Sequence, residues 1–374
     1  MIREQLRITH LVENLERGGL ERVVIDLALE QARQGNAVQV ICLFGEGQLA
    51  HELIAAGIPV IACDKGLGLD FGVLRKIRRL LREHGTQILH SHNPMPHYYG
   101  VLASMFMKGI RIGNTRHGMG NAPFHVRREL FFRATLIRTS FVATVCESAR
   151  RNFIRYKIVT EAKAKVVPNG IRLELFTPRP ASGGESLAQM FALKPDTVCI
   201  GIVGRLNPVK DHATLLHAMV RVRAAIAHAV LIIVGGGKLQ GELETLTKKL
   251  GLQDAVYFLG DRNDVHTLLP GFDIFVLPSL SEGYSIALLE ACASSLPIVA
   301  TDVGGNAEIV KADINGLLVA SGNVEKLADA VIKLAKDGEL RLAMGKRGRD
   351  WVTTYGTIER MAQSYAELYR DGVA

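Results

Sequence analysis

The chain has 374 residues, 48% of them hydrophobic and 22% charged, with a net charge of +8. At ~100–200 residues per domain that is enough for two domains with full cores, and the ordinary composition excludes disordered, collagen-like and disulfide-scaffold classes. The charge is uneven: residues 1–170 carry 24 Lys and Arg against 14 Asp and Glu, and the remaining 204 carry 21 against 23. A basic first half points to an anionic partner there, whether nucleic acid, a membrane surface or a phosphorylated substrate.

In chain order, Leu6–Val12, Ala37–Phe44, Pro59–Cys63, Gln87–His90, Arg111–Thr115 and Phe141–Val145 read as strands. Glu21–Gln34 and Gly72–His84 read as helices between them. The second half repeats the scheme, with strands at Val198–Val203, Ala229–Val234, Ala255–Leu259, Ile274–Leu277 and Ile298–Ala300 and helices at His212–Ala227, Gly241–Leu250 and Tyr284–Ala293. Near-continuous Val/Ile/Leu runs alternating with helices are the pattern of parallel sheets covered on both faces. The join lies near 169–197, where Pro168, Pro178, Pro180, Ser182, Gly183 and Gly184 cluster. The expectation is an α/β protein of two Rossmann-like, doubly wound domains of similar size facing each other across a cleft. Ligands of such folds bind outside the carboxyl ends of the strands.

No apolar run approaches the ~18 residues of a membrane-spanning helix. The opening MIREQLRITHLVENLERGG has no apolar signal-peptide core. Cys42, Cys63, Cys146, Cys199 and Cys292 are scattered and never form C-x-x-C. They read as reduced thiols of a cytosolic protein and argue against a zinc site.

Three strings stand at strand ends. Arg17-Gly18-Gly19-Leu20-Glu21-Arg22 opens the first helix, where glycines let backbone approach a ligand and free N–H groups face an anion. The same string also fits a plain strand-to-helix turn. Gly204-Arg205-Leu206-Asn207-Pro208-Val209-Lys210-Asp211 follows the first strand of the second half, and its Arg205 and Lys210 could clamp a diphosphate. Ser279-Leu280-Ser281-Glu282-Gly283-Tyr284-Ser285-Ile286 precedes a helix whose start could receive a phosphate. Glu282 and Glu290 are acceptor-only groups suited to sugar hydroxyls.

Taken together, the two glutamates with seven residues between them, the GRLNPVKD loop, the early Arg-Gly-Gly turn and Val167-Pro168-Asn169-Gly170-Ile171 resemble glycosyltransferase family 4. The resemblance runs from about residue 6 to residue 370 and is similar to bacterial members that build lipopolysaccharide, capsule or exopolysaccharide. It implies the GT-B architecture, with residues 1–170 on the acceptor side, 171–354 holding the donor, and a final helix within 355–374 packing back across the join. It implies that Arg205 and Lys210 hold the donor diphosphate. Gly283, Tyr284, Ser285 and Ile286 would line it through their backbone, Glu290 would bind the ribose, and Glu282 would contact hydroxyls of the transferred sugar. Gly18 and Gly19 would cap the donor or acceptor region, and Arg262 would lie beside the base. In Thr115-Arg116-His117-Gly118, His117 would face the reacting sugar and support an oxocarbenium-like transition state. His92, in His90-Ser91-His92-Asn93, is a rival for the active centre, with Asn93 beside it on the acceptor side.

There is no Asp-x-Asp pair to hold a divalent cation. Fixed cations and helix ends are expected to stabilise the leaving diphosphate without metal or other cofactor. Gly235-Gly236-Gly237-Lys238 is not a P-loop, since Leu239 replaces the required Ser/Thr. Phe71–His84 and His125–Arg138 concentrate arginine beside apolar residues and suit an anionic membrane surface. An ordinary core-facing helix explains the first stretch as well. Nucleic acid is not expected, because no recognition motif accompanies the charge.

The expected activity is retaining, metal-independent transfer of a hexose or N-acetylhexosamine. The donor would be a nucleotide diphosphate sugar, expected to be UDP-linked, and the acceptor a lipid-linked or growing surface glycan. The expected place is the cytoplasm, peripheral on the inner face of the plasma membrane. A nucleotide-sugar epimerase or phosphorylase on the same architecture, and a non-enzymatic anionic-glycan or nucleic-acid binder, are the alternatives.

Overall fold

The computed structural model describes residues 5–119, 126–179, 185–194 and 196–371. Its contacts divide the chain into two units, Met1–Gly170 with Ile358–Ala374, and Ile171–Thr357. The chain thus leaves the first unit inside the Val167–Ile171 string. The two crossing points are adjacent, with Ile171 N donating to Gly356 O at 2.9 Å. Pro180, Ser182, Gly183 and Gly184 of the expected join lie outside the described residues.

The first unit is built on seven strands: β1 (Arg7–Val12), β2 (Ala37–Cys42), β3 (Val60–Ala62), β4 (Ile88–His92), β5 (Arg111–Arg116), β6 (Phe141–Thr144) and β7 (Ala164–Val166). Every pairing is parallel, in the order β3-β2-β1-β4-β5-β6-β7. The second unit has β8 (Val198–Val203), β9 (Ala229–Val234), β10 (Val256–Phe258), β11 (Ile274–Leu277), β12 (Ile298–Thr301) and β13 (Gly316–Val319), also all parallel, in the order β10-β9-β8-β11-β12-β13. Strands buried on both faces have no solvent side to alternate with, hence runs such as Ala229–Val234, every residue of which is buried. In both sheets the strand order reverses at the middle, between β1 and β4 and between β8 and β11. Loops leaving the carboxyl ends of neighbouring strands diverge there and leave a crevice.

Glycines at two central positions let rings lie across the sheets. A Cβ on Gly113 of β5 would sit 2.1 Å from the Phe141 ring, and one on Gly201 of β8 would sit 2.1 Å from Phe272. The final helix, Ile358–Arg370, lies on the first unit and buries Met361, Tyr365 and Tyr369.

The observed bounds differ from the sequence reading at the strand ends. β2 stops at Cys42, β4 continues to His92, and the helix expected from Tyr284 starts at Ile286. The helix Pro94–Ala103, not among the helices expected from the sequence, has proline at its first turn, where the missing N–H costs nothing. The helix Phe71–His84 buries Val73, Ile77 and Leu81, with Leu74 and Leu80 packed on the same core. Its apolar stripe is therefore committed to the fold and cannot also enter a membrane. Lys76 and Arg78 of that helix donate to backbone carbonyls of Ala62, Ala103 and Met105. Of the second basic stretch, His125 and the side chains of Arg127 and Arg128 lie outside the described residues.

Candidate functional site

In the second unit, the crevice between β8 and β11 gathers the GRLNPVKD loop and the segment after β11. The loop closes as a 3₁₀ turn at Pro208–Lys210, capped by Asn207, whose Oδ1 accepts from Lys210 N at 3.2 Å. Asp211 takes the left-handed conformation and caps the next helix by accepting from Thr214 N at 3.3 Å. These caps aim Lys210 across the crevice. Its Nζ donates to Glu282 Oε1 at 2.6 Å, and Ser279 Oγ donates to the same oxygen at 2.6 Å. Leu280 N donates to Val209 O at 2.8 Å, tying the two loops together through backbone as well. Both charged side chains are largely shielded, Lys210 19% exposed and Glu282 11%. Charges so placed act in a medium of lower dielectric than bulk water.

The helix Ile286–Ala293 begins directly beyond Glu282. Its cap, Ser285, makes no side-chain hydrogen bond to the first turn. Gly283, Tyr284, Ser285 and Ile286 therefore form the approach to a helix N-terminus that its own cap does not occupy, the geometry that receives anionic oxygens. Glu290 follows in the helix's second turn. Arg205 is exposed at the loop's start. Beside Lys210, His212 is buried, and neither ring nitrogen has a hydrogen-bond partner among the described residues. Burial, and then the nearby Lys210 charge, pull its pKa down to about 4, so the ring is neutral.

The Gly235-Gly236-Gly237 run, which carries no phosphate motif, has a packing role. A Cβ on Gly235 would lie 2.2 Å from Gly204 O, and one on Gly237 2.4 Å from Leu206 O. Side chains there would push the GRLNPVKD loop out of place. Arg262, expected beside a base, forms a forked pair with Asp264, Nε to Oδ1 at 2.8 Å and Nη2 to Oδ2 at 2.6 Å.

In the first unit, the strand reversal lies between β1 and β4. Gly18 is the extended N-cap of the Gly19–Arg33 helix. Among the described residues, a Cβ on Gly19 would meet nothing within 4 Å, so no contact with them requires glycine there. At the end of β4, Asn93 adopts φ +67°, and its Oδ1 accepts from His117 N at 3.4 Å. This places the turn carrying His117 beside the end of β4.

Register then assembles a cluster the sequence reading missed. His10 pairs with His90 across β1 and β4, and His92, two residues on, points to the same face as His90. His10 Nδ1 lies 3.0 Å from His92 Nε2, and His92 Nδ1 lies 3.1 Å from His117 Nε2. The remaining nitrogen of His10 meets Gln31 Oε1 at 2.7 Å. His90 is held by Tyr369 OH and Thr115 Oγ1, each at 2.7 Å, and Thr115 Oγ1 also meets Tyr365 OH at 2.8 Å. Burial lowers the pKa of His10 to about 4 and of His117 to about 4, and holds His90 and His92 well below the usual range. All four rings are neutral at physiological pH.

Ring nitrogens of His10, His90 and His92 lie within 4.8 Å of one another, a donor set that would suit a divalent cation. Every one of their six nitrogens already has a hydrogen-bond partner, so an ion could enter only by displacing those bonds. The cluster fits a hydrogen-bonded network better than a metal centre. The one visible signal was histidine inside two strands, His10 in β1 and His90 and His92 in β4, because a buried imidazole must find partners.

Comparison with known proteins gives the chain relatives. The family model for Glycosyltransferase Family 4 matches residues 17–175, and that for glycosyl transferases group 1 matches residues 186–351. The UDP-Gal:alpha-D-GlcNAc-diphosphoundecaprenol alpha-1,3-galactosyltransferase of Escherichia coli is 26% identical over 327 residues, 84% of this chain and 83% of that protein. The GDP-mannose-dependent alpha-(1-6)-phosphatidylinositol monomannoside mannosyltransferase of Mycobacterium tuberculosis is 30% identical over 310 residues, 79% of this chain and 78% of that protein. The crystal structure of Anabaena HepE in complex with UDP and glucose aligns with a TM-score of 0.86 and 22% identity, covering 97% of this chain and 99% of that one. That likeness shows a shared fold, the GT-B fold of two parallel-sheet α/β units.

Proposed function

The chain belongs to glycosyltransferase family 4, and from that premise we propose that it is a retaining transferase acting on a nucleotide diphosphate sugar and a lipid-linked or growing surface-glycan acceptor. The sugar is a hexose or N-acetylhexosamine. The observation that carries the reading is the Lys210–Glu282–Ser279 cluster at the strand reversal, set beside a helix start that its own cap leaves open. A cation paired with a carboxylate is poised to serve two parts of one ligand: the ammonium for a diphosphate, the carboxylate for sugar hydroxyls.

In this reading Arg205, Lys210 and the N–H groups from Gly283 to Ile286 bind the diphosphate. Glu290 takes the ribose and Glu282 the transferred sugar. The bond from the anomeric carbon to the diphosphate oxygen breaks, and its electron pair stays on that oxygen. The acceptor hydroxyl attacks the same face of the sugar, and its proton passes to the departing phosphate oxygen. Lys210, Arg205 and the helix end stabilise the growing negative charge, a role that asks for no metal. His117, on the first unit, supports the positive charge that develops on the sugar ring. A UDP-linked donor is favoured by the E. coli relative named for UDP-Gal and by the HepE structure that contains UDP. A diphosphate-linked lipid acceptor follows the same relative's name.

We also propose a peripheral position on the inner face of the plasma membrane. The support is Phe106 and Ile137, 86% and 87% exposed, with Arg78 and Arg138 hydrogen-bonded to the backbone on either side of Phe106. Among the described residues, no helix is long and apolar enough to cross a membrane. Co-sedimentation with anionic but not neutral vesicles is expected, and it should be lost in a Phe106→Ser, Ile137→Ser variant.

Thermal shifts with UDP-, GDP- and ADP-sugars test the donor assignment, because a ligand that binds only the folded state stabilises it by mass action. A UDP-sugar is expected to give the largest rise. Accumulation of a C2 epimer from donor alone would instead favour the epimerase reading.

A further inference from the structure

Four side chains of the first unit form one directed chain of hydrogen bonds, Gln31–His10–His92–His117, and its direction fixes where the proton sits on His117. Gln31 Oε1 can only accept, so the 2.7 Å contact puts N–H on His10 Nε2. A neutral imidazole has a single N–H, which leaves His10 Nδ1 as an acceptor facing His92 Nε2 at 3.0 Å. His92 therefore donates from Nε2, and its Nδ1 accepts from His117 Nε2 at 3.1 Å. His117 keeps a bare lone pair on Nδ1. That nitrogen is buried and has no hydrogen-bond partner among the described residues.

The far end of the chain is held from the other side. Gln31 Nε2 donates to Tyr369 OH at 3.2 Å, and that hydroxyl lies 2.7 Å from His90 Nδ1. Turning the Gln31 amide over would reverse every N–H in the series and put the proton on His117 Nδ1. One glutamine, two histidines removed, thus sets the hydrogen-bonding sense of the residue at the end.

We propose that Gln31, His10 and His92 are positioning residues that hold His117 in its Nε2–H tautomer, so that Nδ1 accepts a hydrogen bond from a hydroxyl of the bound sugar. The proposal rests on the reading of His117 as the residue that meets that sugar. It adds a specificity consequence. A hydroxyl can donate to this nitrogen, whereas a carboxylate or phosphate oxygen at the same place would face a lone pair with a lone pair. The site therefore selects a neutral, hydroxyl-bearing sugar at the position His117 reaches, over one carrying an acid there.

The test uses the full chain labelled with nitrogen-15 histidine. Long-range proton–nitrogen correlation spectra report which ring nitrogen carries the proton. The wild-type protein is expected to show His10, His92 and His117 all protonated on Nε2. Gln31→Met keeps the volume and removes the acceptor. It should mix the His117 tautomers and lower kcat about 10- to 100-fold, with the donor KM changed by no more than about twofold. An Nδ1–H form of His117 in the wild-type spectrum overturns the proposal, and that result does not depend on any variant folding. A folded Gln31→Met variant with unchanged tautomer and unchanged kcat overturns it too. Failure of the underlying reading has a different signature: His117→Ala with full transferase activity removes His117 from the reaction while the tautomer spectrum stands.

Discussion

Lys210 Nζ donates to Glu282 Oε1 at 2.6 Å, joining two loops whose residues are 72 apart in the chain. The pair couples the cation proposed for the diphosphate to the carboxylate proposed for the sugar. Lys210→Met and Glu282→Ala should each lower kcat/KM about 10²- to 10³-fold, the usual loss when one preorganised electrostatic group is removed. Because the two act as a unit, the double variant should be far less impaired than the product of the single effects. Steady-state kinetics on the four proteins reads this directly. Fully additive losses would separate the two roles.

The buried histidines make stability depend on pH in one direction. His10 and His117 have folded-state pKa values lowered to about 4 from 6.5, and His97 to about 3, all through burial. The unfolded chain therefore binds more protons than the folded one below about pH 6.5. Stability is full above that pH and falls as the pH drops toward the folded values, at about 1.4 kcal/mol per pH unit for each histidine involved. Denaturant unfolding between pH 8 and pH 4.5 should show a plateau and then a steep loss. A flat profile would mean that the cluster is charged or solvated in the folded state.

Gly113 and Gly201 exist to make room for Phe141 and Phe272. Gly201→Ala would bring a methyl group to 2.1 Å from the Phe272 ring, forcing ring or strand to move. Overpacking of this kind costs about 1–3 kcal/mol. Adding Phe272→Leu to Gly201→Ala should recover part of the loss, because the second change vacates the space the first invades. Thermal unfolding of the single and double variants checks the coupling, and simple addition of the two losses would exclude it.

Tyr369 links the final helix to the strand cluster through Gln31 and His90. Tyr369→Phe leaves two buried polar groups without a partner, at about 1–3 kcal/mol for each. The fall in Tm should exceed that of Leu368→Ala on the same helix, whose side chain is only half-buried. Equal falls would reduce the contribution of Tyr369 to packing alone.

Much of the fold was legible because its strands are covered on both faces. Val198–Val203, Ala229–Val234 and Ile274–Leu277 stand out as unbroken apolar runs with the bounds they have in the structure. Ala164–Val166 was missed because three residues with a lysine at the centre carry no pattern. The second-unit loops were legible as strings, and the structure brings Lys210, Glu282 and the start of the Ile286–Ala293 helix into one crevice. Their pairing was not legible, since nothing local links position 210 to position 282. Arg262 and Asp264 pair only two residues apart, a local contact that the string itself does not announce. The histidine cluster was invisible for a topological reason. His10 and His90 become neighbours only when β1 and β4 pair, and no periodicity within either strand announces that.

The central claim is retaining transfer from a nucleotide diphosphate sugar, and its most direct measurement is the anomeric configuration of the product. UDP-, GDP- and ADP-linked hexoses and N-acetylhexosamines would be incubated with a polyprenyl-diphosphate-linked sugar acceptor, and the new linkage read by NMR. Transfer from a UDP-sugar is expected with the donor's anomeric configuration preserved, nucleoside diphosphate released in equal amount, and both lost in Lys210→Met. An inverted linkage, or transfer undiminished in Lys210→Met, would contradict the claim.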